Sequence, residues 1–312
     1  MTIDDGLSQF EEVPEGHKSG YVAVVGRPNV GKSTLMNTLL EDKVAIVTPR
    51  PQTTRIRQLG ILTDENYQMI FMDTPGIMKP RHKLDEFMVD TANESMVDAD
   101  VVLWLVDASS KPGTFDEKIA SRLSNLPEET AVILGINKND LLKPEQVMPR
   151  VEAYRSLLPK SHWILFSALK KKGHEELLDM LIESLPQGPR FYPVDQVTDL
   201  YLRDLAAELI REQLMLQLRD EIPYGVAVQI LDFKERTNGS SYINANIFVE
   251  RKNHKQIIIG AKGQQLKKLG AAARTQIEEM MEGKVFLELW VKVEPNWRRN
   301  ARALRRFGYL NE

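Results

Sequence analysis

A doubly wound α/β domain followed by a smaller α+β domain is the architecture that this 312-residue sequence predicts. Three observations carry it. Five short apolar runs alternate with helix-like stretches between residues 21 and 185. A break rich in proline and glycine follows (Pro186, Gly188, Pro189, Pro193). Beyond it the order changes to helix, two strands, two helices and a strand. Length agrees, since ~100–200 residues per domain gives about two domains.

The apolar runs are Tyr21–Val25, Gln68–Met72, Val101–Val106, Ala131–Ile136 and His162–Phe166. Continuous apolar runs separated by amphipathic stretches predict parallel strands covered on both faces. Arg55–Leu62 adds a candidate edge strand. The second domain starts with a helix from Val197 to about Arg219. Alternating segments at Gly225–Phe233 and Tyr242–Glu250 follow, joined through Thr237-Asn238-Gly239-Ser240, where Asn-Gly favours a hairpin turn. A helical region reaches about Met281, then come a strand at Val285–Val293 and a basic tail helix. The expected boundaries are a flexible tail over 1–19, a first domain over 20–185, a linker over 186–196 and a second domain over 197–312.

Composition narrows the function classes. There is no cysteine, so no disulfide framework and no thiolate metal site. That fits a reducing cytoplasm. No apolar run reaches the ~18 residues a membrane span needs, and the acidic first twenty residues lack the apolar core of a signal peptide. Net charge is -3, unevenly spread: residues 187–312 hold 20 Lys+Arg against 16 Asp+Glu, and 14 against 6 from Arg251 onward. A basic end on an acidic chain suits a polyanionic partner; ordinary solvated helix faces explain it equally well.

Gly26-Arg27-Pro28-Asn29-Val30-Gly31-Lys32-Ser33, followed by Thr34, fits G-x-x-x-x-G-K-[ST] between an expected strand and an expected helix. Two glycines let backbone N–H groups curl around phosphate oxygens, and the helix N-terminus favours negative charge. Lys32 would reach the β- and γ-phosphates and Ser33 would ligate Mg²⁺. The pattern fits ATP and GTP alike. Asn137-Lys138-Asn139-Asp140 decides for guanine: the Asp140 carboxylate can accept from guanine N1–H and N2–H, whereas adenine has no donor at N1 and would leave a buried carboxylate unpaired. Asn137 would hold the loop, Lys138 would cover the ring, and the Ser167-Ala168-Leu169 segment would offer a backbone N–H to guanine O6. Asp73-Thr74-Pro75-Gly76 closes another strand; Asp73 would hold Mg²⁺ through water and the Gly76 N–H would sense the γ-phosphate.

With these motifs in this order, plus Pro51-Gln52-Thr53-Thr54-Arg55, the chain resembles translation-factor-class GTPases of the Era family from about Gly20 to Tyr309. The resemblance implies a P-loop GTPase domain followed by a type II KH domain. It implies a switch threonine that ligates Mg²⁺ only in the triphosphate state, Thr54 or its neighbour Thr53. Catalytic positions then fall on Asn29, Lys32, Thr54 and Gly76. Ile77 stands where signalling GTPases resemble one another in carrying a water-orienting glutamine, so intrinsic hydrolysis is expected to be slow. Asn29 has two readings, a K⁺ ligand near the transferred phosphoryl or a simple loop cap.

Gly260-Ala261-Lys262-Gly263 is a G-x-x-G loop between helical segments, the element with which KH domains clamp about four nucleotides of single-stranded backbone. Lys262, Lys267 and Lys268 would supply counter-charge, with bases over an apolar groove near Ile257, Ile258 and Ile259. The resemblance implies the 3′ region of 16S ribosomal RNA and the 30S small subunit as partners, not DNA, with the chain a monomer. Trp297, Arg298, Arg299, Arg302, Arg305 and Arg306 form the basic tail helix, which either brushes phosphates or packs through Trp297 and Phe307. Competing readings are an RNA-binding assembly scaffold with a structural nucleotide, and a related GTPase acting in tRNA modification, against which the KH-like end counts. The stripe Leu200, Leu205, Leu209, Leu214 and Leu218 reads as core, with peripheral contact to the cytoplasmic face of the membrane as the alternative.

Overall fold

The computed structural model describes residues 13–236 and 239–310. The chain forms two compact units: residues 1–44, 56–78 and 89–199 make the first, and 45–55, 79–88 and 200–312 the second.

The first unit is built on a six-stranded sheet with order β2-β3-β1-β4-β5-β6. The strands are β1 (Lys18–Val25), β2 (Gln58–Thr63), β3 (Tyr67–Asp73), β4 (Val101–Asp107), β5 (Ala131–Asn137) and β6 (His162–Leu165). Only β2 runs antiparallel to its neighbour. β4 shows why such runs need no alternation: Val101–Val106 is buried throughout, because helices cover both faces of the sheet. The helices are α1 (Lys32–Leu40), α2 (Lys83–Val97), α3 (Thr114–Leu123), α4 (Pro144–Arg155) and α5 (His174–Ser184). Parallel strands bring the ends of β1, β3, β5 and β6 to one edge, where open α/β sheets bind ligands. The edge strand expected at Arg55–Leu62 exists, but starts three residues later at Gln58.

In the second unit, α6 (Leu202–Gln217) precedes β7 (Ala227–Glu235) and β8 (Ser241–Val249). Then come α7 (Lys252–Ile259), α8 (Gln264–Met280), β9 (Val285–Val293) and the short α9 (Ala301–Arg306). The sheet order is β7-β8-β9, with β7/β8 antiparallel and β8/β9 parallel. This helix–strand–strand–helix–helix–strand order is the one expected for a type II KH domain. The tail expected over 1–19 lies outside the described residues as far as 12, and β1 already begins at Lys18. Thr237 and Asn238 of the expected hairpin turn also lie outside them.

One core joins helices and sheet: Leu209, Ile210 and Leu214 of α6 meet Ile243, Ile247, Ile258, Ala273 and Ile277. Of the leucine stripe, Leu209, Leu214 and Leu218 are core, with Leu214 fully buried, while Leu200 and Leu205 are partly buried. No helix among the described residues is long and apolar enough to cross a membrane. The tail helix packs through Trp297, which is fully buried, donates its indole N–H to Gly225 O at 2.9 Å and meets Phe307 edge-on at 5.4 Å. Of its arginines, Arg298 pairs with Glu250 and Arg306 with Glu294.

Candidate nucleotide site and nucleic-acid interface

The phosphate loop leaves β1 at Val25 and enters α1 at Lys32. Gly26 and Gly31 hold φ of 152° and 107°, and a Cβ on Gly31 would collide with the Asn137 amide. The glycines are thus required by backbone angle and by close approach together. Asn29 takes φ 64° at the loop's crest. Val30 is buried under the loop, and Pro28 abuts Gly76, where a Cβ would lie 2.6 Å from Pro28 N.

Lys32 is buried, its ammonium 3.2 Å from Arg27 O and 3.5 Å from Gly26 O. Burial pulls it down from 10.5 to about 8, with Asp73 acting in the opposite direction. Two carbonyls are weak compensation for a desolvated ammonium, and a phosphate would serve it better. Ser33 donates to Asp73 Oδ2 at 2.6 Å, and Asp73 is fully buried at the end of β3. These adjacent hard oxygens suit Mg²⁺, which prefers hydroxyl, carboxylate and phosphate ligands. Thr74 donates to Val24 O, fixing the Asp73-Thr74-Pro75-Gly76 turn against β1. Thr34 accepts from Thr38 through its carbonyl.

The base side is organised by Asn137. Its amide donates to Val30 O at 2.8 Å, while Oδ1 accepts from Ala168 N at 2.9 Å and Lys138 N at 2.7 Å. One side chain ties the phosphate loop, Lys138 and the Ser167-Ala168 segment together. Lys138, at φ 66°, reaches Asn29 O and Asp107 Oδ2, both at 2.7 Å. Asp140 Oδ1 accepts from Ser167 Oγ at 2.5 Å. Asp140 is exposed and Leu169 is 72% exposed. The burial expected of Asp140 is therefore not supplied by the protein; a base covering the carboxylate would have to supply it.

Two positioning residues were missed in the sequence. Asp107 closes β4 and grips Lys138; burial pushes its carboxyl up, but hydrogen bonds from Lys138 and Ser109 outweigh that and hold it below the usual range. Its place at the carboxyl end of a strand was the available signal. Asp116, fully buried, holds Arg27 at 2.9 Å and caps Gly113 N at 2.8 Å.

Thr54 does not fall in the first unit with Ser33 and Asp73. Residues 45–55 belong to the second, where Thr54 is buried. Thr53 bonds Thr48 Oγ1 at 2.7 Å and Arg50 O at 2.8 Å through its hydroxyl, and its carbonyl accepts from Arg211. Ile77 is buried in the first unit's core, its N–H on Gly26 O at 3.1 Å, so it cannot orient a water.

In the second unit the G-x-x-G loop joins α7 to α8. Gly260 takes φ 70°, ψ 179°, a region essentially closed to other residues, and Gly263 caps α8 at φ 78°. Ala261 and Lys262 are exposed between them, Lys262 at φ 50°. Of the three isoleucines expected at the apolar groove, Ile258 alone is fully buried. It lies in the core, so no base reaches it, and Ile257, half exposed, lines a cavity with Gly260 and Gln264. A cavity of about 450 Å³ runs between α8 and β9, lined by Gly263, Leu266, Lys267, Gly270, Ala271, Arg274, Leu287 and Leu289. Helix periodicity turns Ile258 of α7 inward, and the cavity beside α8 is completed by a strand that sequence order places some twenty residues later. Lys268 is exposed but does not line the groove.

Two family models match the chain. Residues 21–138 match the family model "50S ribosome-binding GTPase", and residues 221–298 match the KH domain model. The chain is 44% identical to GTPase Era of Ruminiclostridium cellulolyticum over 94% of its length and 98% of the relative's. It is 46% identical to GTPase Era of Halothermothrix orenii over 94% and 99%. Among solved structures, Era in complex with MgGDPNP and nucleotides 1506–1542 of 16S ribosomal RNA aligns with TM-score 0.90 at 42% identity, covering 95% of this chain and all of that one. A point variant of Aquifex aeolicus Era bound to GDP.AlF4- aligns with TM-score 0.89 at 42% identity, over 94% and 100%. Identity at that level along nearly the full length of both partners, with the two domain models in the same order, makes this chain a member of the Era family of GTPases.

Proposed function

We propose that this GTPase is a switch that binds the 3′ region of 16S ribosomal RNA through its KH domain and assists assembly of the 30S subunit. The observation that carries the reading is the G-x-x-G loop opening onto a groove of apolar and basic side chains, in a chain that also holds a complete guanine-nucleotide site. The solved relative that holds 16S rRNA nucleotides 1506–1542 supports the choice of RNA. The family model named for the 50S particle covers only residues 21–138, outside the RNA-binding unit.

Hydrolysis needs charge on the transferred phosphoryl neutralised and a water held in line. Lys32 and the loop amides would hold the phosphates, and Ser33 and Asp73 would hold Mg²⁺, which would supply positive charge against the phosphates. The Gly76 N–H meets the γ-phosphate. Thr54, or its neighbour Thr53, would add a hydroxyl ligand to Mg²⁺ in the triphosphate state. The segment carrying Thr54 is bonded within the second unit by Arg211 at Thr53 O, by Glu212 at Val47 N and through Arg50 to Leu218 O.

With Ile77 unable to orient water, K⁺ beside Asn29 is the proposed source of extra positive charge. Asn29 at the crest of the loop supports this. Hydrolysis in K⁺ should exceed that in Na⁺ about tenfold for wild type and not for Asn29→Ala; equal rates in all four assays would remove the cation. The RNA reading is tested by binding a fragment of the 16S 3′ region against a shuffled sequence at about 150 mM salt, near physiological ionic strength. A preference of about tenfold or more is expected, and equal affinity would overturn it.

A further inference from the structure

The three-stranded sheet of the second unit has one face on the helices. The other carries a cluster of aromatic side chains that neither the nucleotide site nor the clamp uses. Side chains alternate between faces along a strand. On β8 and β9, Ile243, Ala245, Ile247, Val285 and Val291 enter the core with α6 and α8. The intervening residues face the other way, and the register pairs Tyr242 with Phe286, Asn244 with Glu288 and Asn246 with Trp290.

Phe286 is 57% exposed and Trp290 55%. Two large aromatics left in water on same-face positions of one strand are unfavourable for the isolated fold. They are nonetheless held in fixed orientations. Tyr242 stacks on Phe286 with ring centroids 5.9 Å apart and planes at 21°. Glu288 accepts from the Tyr242 hydroxyl at 2.6 Å and from the Trp290 indole at 3.2 Å. Its carboxylate is thereby committed to orienting the two rings. Arg236 lies over both Tyr242 and Phe286, at 5.2 and 5.5 Å from the ring centroids. Arg236, Lys284 and Lys292 have no acidic ion-pair partner among the described residues, whereas Lys234 is matched by Asp232 at 2.8 Å.

We propose that this sheet face is a second nucleic-acid surface, which stacks unpaired RNA bases on Tyr242, Phe286 and Trp290 and draws their phosphates to Arg236, Lys284 and Lys292. Ordered rings bordered by unpaired cations favour a single-stranded polyanion with π-faces over an apolar protein partner. Continuity with the clamp points the same way. Leu287 and Leu289 line the groove beside α8, while Phe286 and Trp290 alternate with them on the same strand. That strand is the edge of the sheet, so RNA leaving the groove passes around one strand to reach the aromatic face.

The inference rests on the RNA-binding reading above, and oligonucleotide length separates the two. Full-length protein is titrated with fluorescein-labelled single-stranded fragments of the 16S 3′ region, one of about 4 and one of about 20 nucleotides, a clamp's length and one long enough to round the strand. Phe286→Ala/Trp290→Ala should weaken the long RNA about tenfold or more, while the short one stays within twofold and thermal unfolding is unchanged. Trp290→Phe, which keeps a stacking face, should retain most of the affinity. Wild-type affinity of the double variant for the long RNA, or an equal loss on both lengths, overturns the sheet-face proposal alone. Wild type binding neither RNA overturns the clamp reading and this one together.

Discussion

Burial of Lys32 without a full set of anionic partners sets a tension between folding and binding at a single residue. Its fall from 10.5 to about 8 corresponds to roughly 3 kcal/mol against the protonated form. Because the folded value lies below the unfolded one, this destabilisation is complete below pH 8 and fades as pH rises toward 10.5. Lys32→Met should therefore stabilise the nucleotide-free protein by about 1–3 kcal/mol at pH 7 and by less near pH 10, while GTP affinity falls about 100-fold or more. Urea unfolding at the two pH values and a nucleotide titration check it; loss of stability at pH 7 would contradict the account. The lysine was legible in the motif. Its perturbed ionisation was not, because desolvation depends on how the loop closes over it.

At the scale of elements, the G-x-x-G loop shows which substitutions report on function. Gly260 sits at φ 70° with ψ near 180°, and a Cβ there would lie 2.6 Å from Gln265 Cβ in the first turn of α8. Any side chain at this position disturbs the helix as well as the RNA path, so loss of binding would be ambiguous. Lys262 and Lys267 are exposed and make no such contact. Lys262→Glu/Lys267→Glu should lower RNA affinity about tenfold or more and reduce the salt dependence by about two counterions. GTP hydrolysis without RNA should stay within twofold. An unchanged salt slope in fluorescence titrations would mean that these lysines do not touch phosphate. The strands around such loops were readable from their runs of Val, Ile and Leu. Their ends shifted by one to three residues, as at β2, where pairing with β3 from Gln58 rather than the apolar pattern sets the start. The cavity between α8 and β9 was not legible because it belongs to no single element. Gly270 brings α8 against β9, where a Cβ would lie 3.3 Å from Leu289 Cδ1, and nothing in the local pattern of either element announces that pairing.

Across the whole molecule, the order of motifs was fixed by local chemistry. A glycine five residues before Gly-Lys-Ser, an aspartate ending a buried strand and the Asn-Lys-x-Asp run act through backbone angles and functional groups that travel with the residues themselves. Their convergence on one edge followed from parallel strand direction. Both domain classes, and the guanine preference expected of Asp140, were therefore available in the amino-acid order. The membership of residues 45–55 and 79–88 was not. Arg55 donates to Val226 O at 2.6 Å and Tyr224 O at 3.1 Å and lies 5.8 Å over Trp297, with burial pulling its ionisation down. Gln52 donates to Asp85 at 2.9 Å. These partners stand 33 to 242 positions along the chain, and no periodicity encodes a contact at such separation. What residue type and spacing can specify, namely strands, loops and the ligand chemistry of each motif, the sequence determined alone. Which segment joins which core, where the cavity between α8 and β9 opens and which face keeps its aromatic rings in water were decided only by tertiary packing, because burial and desolvation belong to the assembled neighbourhood and not to any residue within it.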